Sequence, residues 1–246
     1  MSILDKIAGQ KLMAAGFAVL LSYPLSVILA RFDVVHFRDS FLMMIVAALV
    51  SFIILVITVF KFTQESKEPA RPLLLAVVFT LLPLFILGSQ IIKAQKSAFI
   101  HDISTDTNMP PEFVAAKADR LSSDHNVDYE GQALASIQQN AYPNIKPLFV
   151  NADIASVMNA AKSLMAENNW QVLASNNQTQ PFTIEAVHSS LLFAFKDDVI
   201  LRLQTTDTGT RIDMRSMSRQ GKNDLGMNAQ RIAEFLIQLE HRLQEK

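Results

Sequence analysis

The segment from Arg215 to Asn228 concentrates the side chains of this chain that are best suited to binding chemistry. It reads Arg-Ser-Met-Ser-Arg-Gln-Gly-Lys-Asn-Asp-Leu-Gly-Met-Asn. Guanidinium and hydroxyl groups donate hydrogen bonds to phosphate and carboxylate oxygens, and a helix beginning near Asp224 would add the positive end of its dipole. Glycine lets the backbone approach a ligand closely. One hypothesis is an anion site, for a phosphate or a lipid headgroup, formed by Arg215, Ser216, Ser218, Arg219, Gly221 and Asn228.

The same segment has a second interpretation, in which its charges stabilise the fold. The acidic pair Asp197-Asp198 begins a predicted strand, and opposite charges on adjacent strands stabilise strand pairing. Asp224, at the predicted helix N-terminus, would repel a bound anion, which favours this interpretation. The predicted structural ion network consists of the two motif arginines with Asp197, Asp198, Asp213, Asp224 and Arg231.

Catalysis finds little support in the residue pattern. A serine hydrolase needs a nucleophile, a base and an orienting acid, and His188 lies beside Ser189 on a predicted strand, where neighbouring side chains point to opposite faces. The sequence has no Gly-x-Ser-x-Gly elbow, Walker A loop or His-Glu-x-x-His motif, and it has no cysteine. We therefore expect no enzyme activity and no cofactor.

Metal binding is also not expected. His101, Asp102 and Asp106 lie close together, but no further residues follow at a spacing typical of metal ligands. A solvated connector explains these residues better.

Three uncharged apolar runs, residues 12–30, 41–60 and 73–92, indicate a membrane protein. A helix rises about 1.5 Å per residue, so each run is long enough to cross a hydrocarbon core of about 30 Å. None of the three contains an ionisable residue of the kind that transport and proton relay require. Residues 1–96 are therefore predicted to be a three-helix transmembrane region that acts as an anchor or binds a partner.

The distribution of lysine and arginine predicts the orientation of these spans. More positive charges fall on the side of the N-terminal tail and the loop between spans two and three, where they are Lys6, Lys11, Lys61, Lys67 and Arg71. The opposite side carries Arg31, Arg38, Lys93 and Lys96. We predict a cytoplasmic N-terminus and, after three crossings, a periplasmic C-terminal domain. Neither half has the basic excess that would bind nucleic acid.

The remaining chain divides into a polar connector, residues 97–141, and a C-terminal domain, residues 142–246. Paired prolines and turn-forming residues mark the connector as extended or weakly helical. Hydrophobic periodicity in the domain predicts the order β-α-β-β-β-β-α, with Gly209 in a hairpin turn and an amphipathic helix after Asp224. This order predicts an α+β fold, a two-layer sandwich with a mostly antiparallel sheet that can leave one face open to a ligand or partner.

Two blocks of this sequence resemble a bacterial family catalogued as domain of unknown function 1499. They are Phe-Lys-Asp-Asp-Val, residues 195–199, and the Arg-Ser-Met-Ser-Arg-x-Gly-x-x-Asp-Leu-Gly-x-Asn-x-x-Arg-Ile pattern of residues 215–232. The similarity runs from about Tyr142 to Leu239, and residues 102–113 are similar to a segment that often precedes this domain in membrane-anchored members. The resemblance implies a bacterial envelope protein and supplies no catalytic residues.

Together these observations predict an integral inner-membrane protein that presents a periplasmic binding or assembly module. The expected partners are membrane lipids and another envelope or membrane protein. An alternative is an envelope enzyme, or a lipid- or anion-binding protein, acting at the Arg215–Asn228 surface. A third hypothesis gives the spans the main role, through binding of another membrane protein, with the domain as a regulator.

Overall fold

The computed structural model describes residues 8–64 and 69–245, which form two compact units. One unit contains the described residues up to Ile92 together with Leu191–Ala194. The other contains Lys93–Ser190 and the described residues from Phe195 onward. Lys6 and Lys67, which enter the charge count above, lie outside the described residues.

The helical unit contains α1 (Gly9–Arg31), α2 (Phe37–Thr63) and all but the last four residues of α3 (Ala70–Lys96). Each helix contains one predicted span in full and is long and apolar enough to cross a membrane, with mean hydropathy of 2.1, 3.0 and 2.3 in turn. The charged residues Arg31, Lys93 and Lys96 fall in the last turns of their helices. The protein is therefore a membrane protein by the length and composition of these helices.

Small and hydroxyl-bearing residues hold the three helices together. Gly16 of α1 faces the Ala76 carbonyl and the Thr80 side chain of α3 so closely that a Cβ on Gly16 would already be in van der Waals contact with both. The Tyr23 hydroxyl lies 3.0 Å from the Met44 carbonyl and 3.2 Å from the Pro83 carbonyl, within hydrogen-bond reach of both α2 and α3. Close backbone approach at small residues is typical of helix packing in membranes.

The second unit is an α+β domain whose sheet is antiparallel throughout, in the order β1-β6-β5-β4-β3, with β2 also paired to β6. Its elements are β1 (Asp102–Ser104), α4 (Ala115–Asp119), α5 (Gln132–Ala141), β2 (Leu148–Val150), α6 (Ile154–Glu167), β3 (Gln171–Asn176), β4 (Phe182–Ser189), β5 (Lys196–Thr206), β6 (Gly209–Ser218) and α7 (Met227–Gln244). From β2 onward the order is β-α-β-β-β-β-α, so the predicted fold class is confirmed.

The segment predicted as a connector, residues 97–141, contributes structure to this domain. β1 pairs with β6, and α5 bonds to β1 through Gln138, whose side chain donates to and accepts from the Ser104 backbone. A three-residue strand that pairs more than a hundred residues away has no periodicity of its own to reveal it. Pairing with β6, and not a pattern in its own sequence, therefore makes residues 102–104 a strand.

The two faces of the sheet differ in chemistry. The first face lies under α6 and α7 and carries the main apolar core, which includes Leu201, Met214 and Phe235. The second face carries a smaller apolar cluster in which Phe113 and Val127 pack near Ile200 and Met217, with a charged network beside it. The second face, which a two-layer fold could leave open, is thus covered by residues 97–141, which we call the former connector because the sequence predicted a connector there.

Gly209 is required by the hairpin between β5 and β6. Its φ of +143° is rarely adopted by other residues, and a Cβ there would lie 2.1 Å from the Val150 carbonyl oxygen of the neighbouring strand. The turn predicted from the sequence therefore forms, with glycine needed for both backbone conformation and space.

Candidate functional site

The motif Arg215–Arg219 alternates between the two faces of the sheet. Strand side chains point to opposite faces in turn, so Arg215 and Met217 lie on the second face, whereas Ser216 and Ser218 lie on the first. Arg219 follows the end of β6 and contacts Asp198 on the second face. The guanidinium and hydroxyl donors of the proposed anion site are therefore not brought together on one surface.

Arg215 is the centre of the second face. Its guanidinium donates to both carboxylate oxygens of Asp102, at 2.9 and 2.7 Å, and also to the carbonyls of Pro111 and Val127. The ring of Phe113 lies 4.9 Å from the guanidinium carbon, and Tyr129 also contacts it. With only 2% of its surface exposed, Arg215 is sealed from solvent.

Asp198 organises the adjacent part of this face. It accepts hydrogen bonds from Arg219 at 2.7 Å and from Arg120 at 2.6 Å, and Arg219 also pairs with Asp119. Further along the sheet, two arginines and two aspartates form a square, because each acid contacts both bases: Arg202, Arg211, Asp106 and Asp213.

We call these residues the second-face network, and its five carboxylates equal its five guanidiniums in number. The members are Asp102, Asp106, Asp119, Asp198, Asp213, Arg120, Arg202, Arg211, Arg215 and Arg219. Four of them come from the former connector, so the network fastens that segment to the sheet. An added anion would have to displace a carboxylate that is already paired.

On the first face, Arg231 of α7 is the centre of a second polar cluster. It donates to Asp197 at 2.6 Å and to Ser216 at 2.9 Å, and it also contacts Asn228. Asn228 in turn donates to Ser218 and to the carbonyl of His101. This cluster joins the start of β5, the end of β6 and the first turns of α7.

Two carboxyl groups near α7 have pKa values shifted in opposite directions. Burial raises the pKa of Asp197, but its hydrogen bonds to His188 and Ser218 and the Arg231 charge outweigh burial and hold that pKa below its ordinary value. Burial raises the pKa of Asp224, and two backbone hydrogen bonds, from Asn228 and Gly226, do not offset it. The N-cap of α7 is Gly226, and Asp224, two residues before it, accepts hydrogen bonds from the backbone N–H groups of Gly226 and of Asn228 in the first turn.

A cavity of about 180 Å³ lies beside this cluster, and we call it the α7 pocket. It is lined by Asn168, Trp170, His188, Met227, Gln230, Arg231, Glu234, Phe235 and Gln238. Trp170 stacks on Phe235 with ring centres 4.9 Å apart, which gives the pocket a rigid apolar wall. Arg231, Glu234 and His188 provide its charged and titratable groups.

Two groups of opposite charge, Arg231 and Asp197, lie beside the Nδ1 atom of His188. One guanidinium nitrogen lies 3.1 Å from His188 Nδ1. The Asp197 carboxylate lies 3.5 Å from the same nitrogen, so Nδ1 accepts from Arg231 in one tautomer and donates to Asp197 in the other. The Nε2 atom of His188 can therefore form one further hydrogen bond, as a donor in the first tautomer and as an acceptor in the second.

The structure brings together only part of each predicted residue set. On the first face, Asp197, Ser216, Ser218 and Asn228 lie around Arg231. On the second face, Asp198 forms an ion pair with Arg219, and Asp213 forms one with Arg202. Gly221 has a φ of +86°, and its carbonyl accepts from His125. A Cβ at Gly221 would meet nothing nearer than 4.0 Å, so no close approach requires glycine there.

Sequence reasoning did not identify Trp170, His188 and the α7 pocket as one site. These residues come from the start of β3, the end of β4 and the middle of α7, and no local spacing relates them. The acids Asp102, Asp106 and Asp119 were also missed as partners of the arginines. For Asp102 and Asp106 a signal was present, since residues 102–113 resemble a segment that often precedes this domain, but Asp119 lies beyond it.

No cluster of three or more potential metal-binding side chains occurs among residues 8–64 and 69–245. Asp102 and Asp106 contact arginines instead. The ring of His101 lies 4.3 Å from that of His125, and burial, together with the His125 charge, lowers the pKa of His101.

Comparison with known proteins gives one match. The model of the family described as protein of unknown function (DUF1499) matches residues 102–239, more than half of the chain. No curated protein and no solved structure matches the chain. The match begins with β1, about forty residues before the limit inferred from the sequence, and it includes the carboxylates of the former connector. The chain therefore belongs to the DUF1499 family.

Proposed function

We propose that this protein is a membrane-anchored binding module of the bacterial inner membrane. Its three apolar helices supply the anchor, and the lysine and arginine distribution supports a cytoplasmic N-terminus with the α+β domain in the periplasm. In this proposal the domain binds a ligand and does not catalyse a reaction, and its partners are membrane lipids and another envelope protein.

The α7 pocket is the observation that carries the binding role. It combines a buried aromatic wall, Trp170 and Phe235, with the buried Arg231 and an exposed polar rim, so apolar and polar groups converge on one cavity. Arg231 has 8% of its surface exposed and is held by Asp197, Ser216 and Asn228, so the site needs little rearrangement to present His188. A preorganised site loses less conformational entropy on binding.

The pocket favours a small polar ligand with a flat or apolar part. Asn168, Gln230 and Gln238 offer amide groups that both donate and accept, and the His188 Nε2 atom offers a donor or an acceptor according to its tautomer. The Arg231 charge is already balanced by Asp197, so the pocket does not require a strongly anionic ligand. Its volume of about 180 Å³ limits the enclosed portion to a group of ring size.

The competing hypothesis places an enzyme or an anion-binding site at the Arg215–Asn228 surface. The contacts described above weigh against it, since Arg215 and Arg219 are 2% and 3% exposed and both pair with carboxylates. Binding there would first need to break the second-face network.

Ligand retention tests the proposal. The full chain is purified from native membranes with lipids retained, and mass spectrometry identifies bound molecules in the wild type, in Gln238→Trp and in Gln244→Trp. Both glutamines are exposed on α7, but only Gln238 lines the pocket. We expect a molecule that the wild type and Gln244→Trp retain and Gln238→Trp loses. Identical bound molecules in all three proteins would contradict a ligand role for the pocket.

A further inference from the structure

The loop that joins β4 to β5 is closed at its base by two hydrogen bonds. The Ser190 backbone N–H donates to the Phe195 carbonyl at 2.8 Å, and the Phe195 N–H donates to the Ser190 hydroxyl at 2.9 Å. Ala194 has a φ of +54°, a conformation uncommon for residues with a side chain. We call residues 191–195 the β4–β5 tip, and its closed base presents it as a defined structure.

The composition of this tip is unusual for a surface loop. Its five residues, Leu-Leu-Phe-Ala-Phe, include no polar side chain, whereas turns and loops are normally built from polar residues and glycine. Leu191 is 85% exposed and Leu192 is 59% exposed. Two adjacent leucines displayed on a closed loop indicate a surface that meets an apolar partner.

The apolar partner can be identified from where the tip belongs in the structure. Residues Leu191–Ala194 group with the helical unit. Within that unit, the Arg31 guanidinium donates to the Leu191 carbonyl, and the rings of Phe193 and Phe41 meet edge to face at 5.0 Å. Arg31 ends α1, and Phe41 lies in the second turn of α2. Both residues mark the ends of the uncharged spans, which is the depth of the membrane interface.

Charge at the base of the tip also fits a lipid surface. Lys196 follows the tip directly and is exposed. A lysine beside apolar residues can extend its amine to anionic headgroups while its neighbours enter the acyl region. In addition, only five residues separate Lys96, the end of α3, from Asp102, the start of β1, so the chain itself keeps the domain close to the bilayer.

We propose that the β4–β5 tip inserts its leucines into the lipid bilayer and so provides the α+β domain with a membrane contact besides the α3 tether. The interaction resembles that of other interfacial anchors, in which exposed apolar and aromatic side chains enter the boundary between headgroups and acyl chains. It does not depend on what the α7 pocket binds.

Because the chain has no cysteine, one introduced cysteine can report the surroundings of the tip. The full chain with Leu192→Cys is labelled with an environment-sensitive fluorophore and placed in nanodiscs of phosphatidylethanolamine and phosphatidylglycerol. The matched control is Asp207→Cys, an exposed turn residue at the other end of β5. Emission is then measured with a lipid-borne nitroxide quencher and with aqueous iodide.

We expect the lipid-borne nitroxide to quench the Leu192 label several-fold more strongly than the Asp207 label, and iodide to give the reverse order. Iodide quenching of the two labels to the same extent would overturn the proposal. Protection of the Leu192 label from both quenchers would also overturn it, because a protein surface would then cover the tip. Trp170 fluorescence verifies that each variant is folded, and Leu191→Cys replaces Leu192→Cys if that variant does not fold.

Discussion

Arg215 and Asp102 form a two-pronged ion pair, with nitrogen–oxygen distances of 2.9 and 2.7 Å, between strands that are more than a hundred residues apart in the chain. Each residue has at most 2% of its side chain exposed. The pair joins β1 to β6 at the point where the former connector meets the sheet. The arginine of the most distinctive motif in this sequence therefore acts first as a structural residue.

Replacing Arg215 with alanine should destabilise the domain strongly. The change leaves the Asp102 carboxylate buried without its partner, and breaking a buried pair in this way costs about 3–5 kcal/mol. Urea unfolding of the full chain in detergent measures the effect, because the only tryptophan, Trp170, is buried in the domain and reports its unfolding alone.

Arg242→Ala is the matched control for this experiment. Arg242 also forms a two-pronged pair, with Glu167, but on the surface, where solvent screens the charges. We expect little change in the free energy of unfolding. Equal effects of Arg215→Ala and Arg242→Ala would show that the buried network does not stabilise the fold.

Glu185 of β4 should be needed as a hydrogen-bond acceptor. Its buried carboxylate accepts backbone hydrogen bonds from Val114, Ala115 and Ala116, at 3.0, 3.1 and 2.9 Å, and so satisfies the start of α4. Glu185→Gln would place an amide N–H₂ against some of these donors, which should cost about 1–3 kcal/mol. The same unfolding assay measures this loss.

Glu234→Gln provides the comparison, because Glu234 is exposed and its carboxylate accepts from the Gln230 side chain only one turn away. A surface change of this kind normally alters the free energy of unfolding by less than about 0.5 kcal/mol. If Glu185→Gln were equally mild, the capping role assigned to Glu185 would be rejected.

Asp224 should make stability fall as the pH rises. Burial raises its pKa above the ordinary value of 3.8. The folded state therefore binds the proton more tightly than the unfolded state, and stability declines as the pH rises from the ordinary value through the raised folded one. Asp224→Asn removes this titration. As the pH rises through that window, the free energy of unfolding of the wild type should therefore fall relative to that of Asp224→Asn.

Unfolding curves of both proteins at a series of pH values measure the difference. Asp207→Asn, a change in the exposed turn after β5, controls for the general effect of losing one negative charge. A constant difference between Asp224→Asn and the wild type at every pH would contradict the raised pKa.

The sequence predicted the regular parts of this protein well, for physical reasons. Uncharged runs of about twenty residues have few alternatives to a membrane span. Likewise, the alternating pattern of β4, β5 and β6 and the helical spacing of α7 are local signals that tertiary contacts reinforce. Even the opposite orientations of Asp197 and Asp198 follow from the period of a strand.

The contacts that define the candidate site could not be predicted in this way. His188 and Arg231 meet across 43 positions, and Arg215 meets Asp102 across 113. Such pairings depend on which strand lies beside which, and β1 is too short to show its partner by composition. The motif also looked like a single surface because its residues are consecutive, whereas the strand distributes them to both faces.

If three spans hold the α+β domain outside the cytoplasm, as we propose, cysteine labelling in intact cells will distinguish the domain from the loop between α2 and α3. Gln64→Cys, after α2, and Asp207→Cys, in the domain, are treated in intact cells with a maleimide that does not cross membranes. Our account predicts that the Asp207→Cys protein is labelled once the reagent reaches the periplasm, and that Gln64→Cys is labelled only after the cells are broken. Labelling of Gln64→Cys in intact cells, with Asp207→Cys protected until lysis, would contradict it.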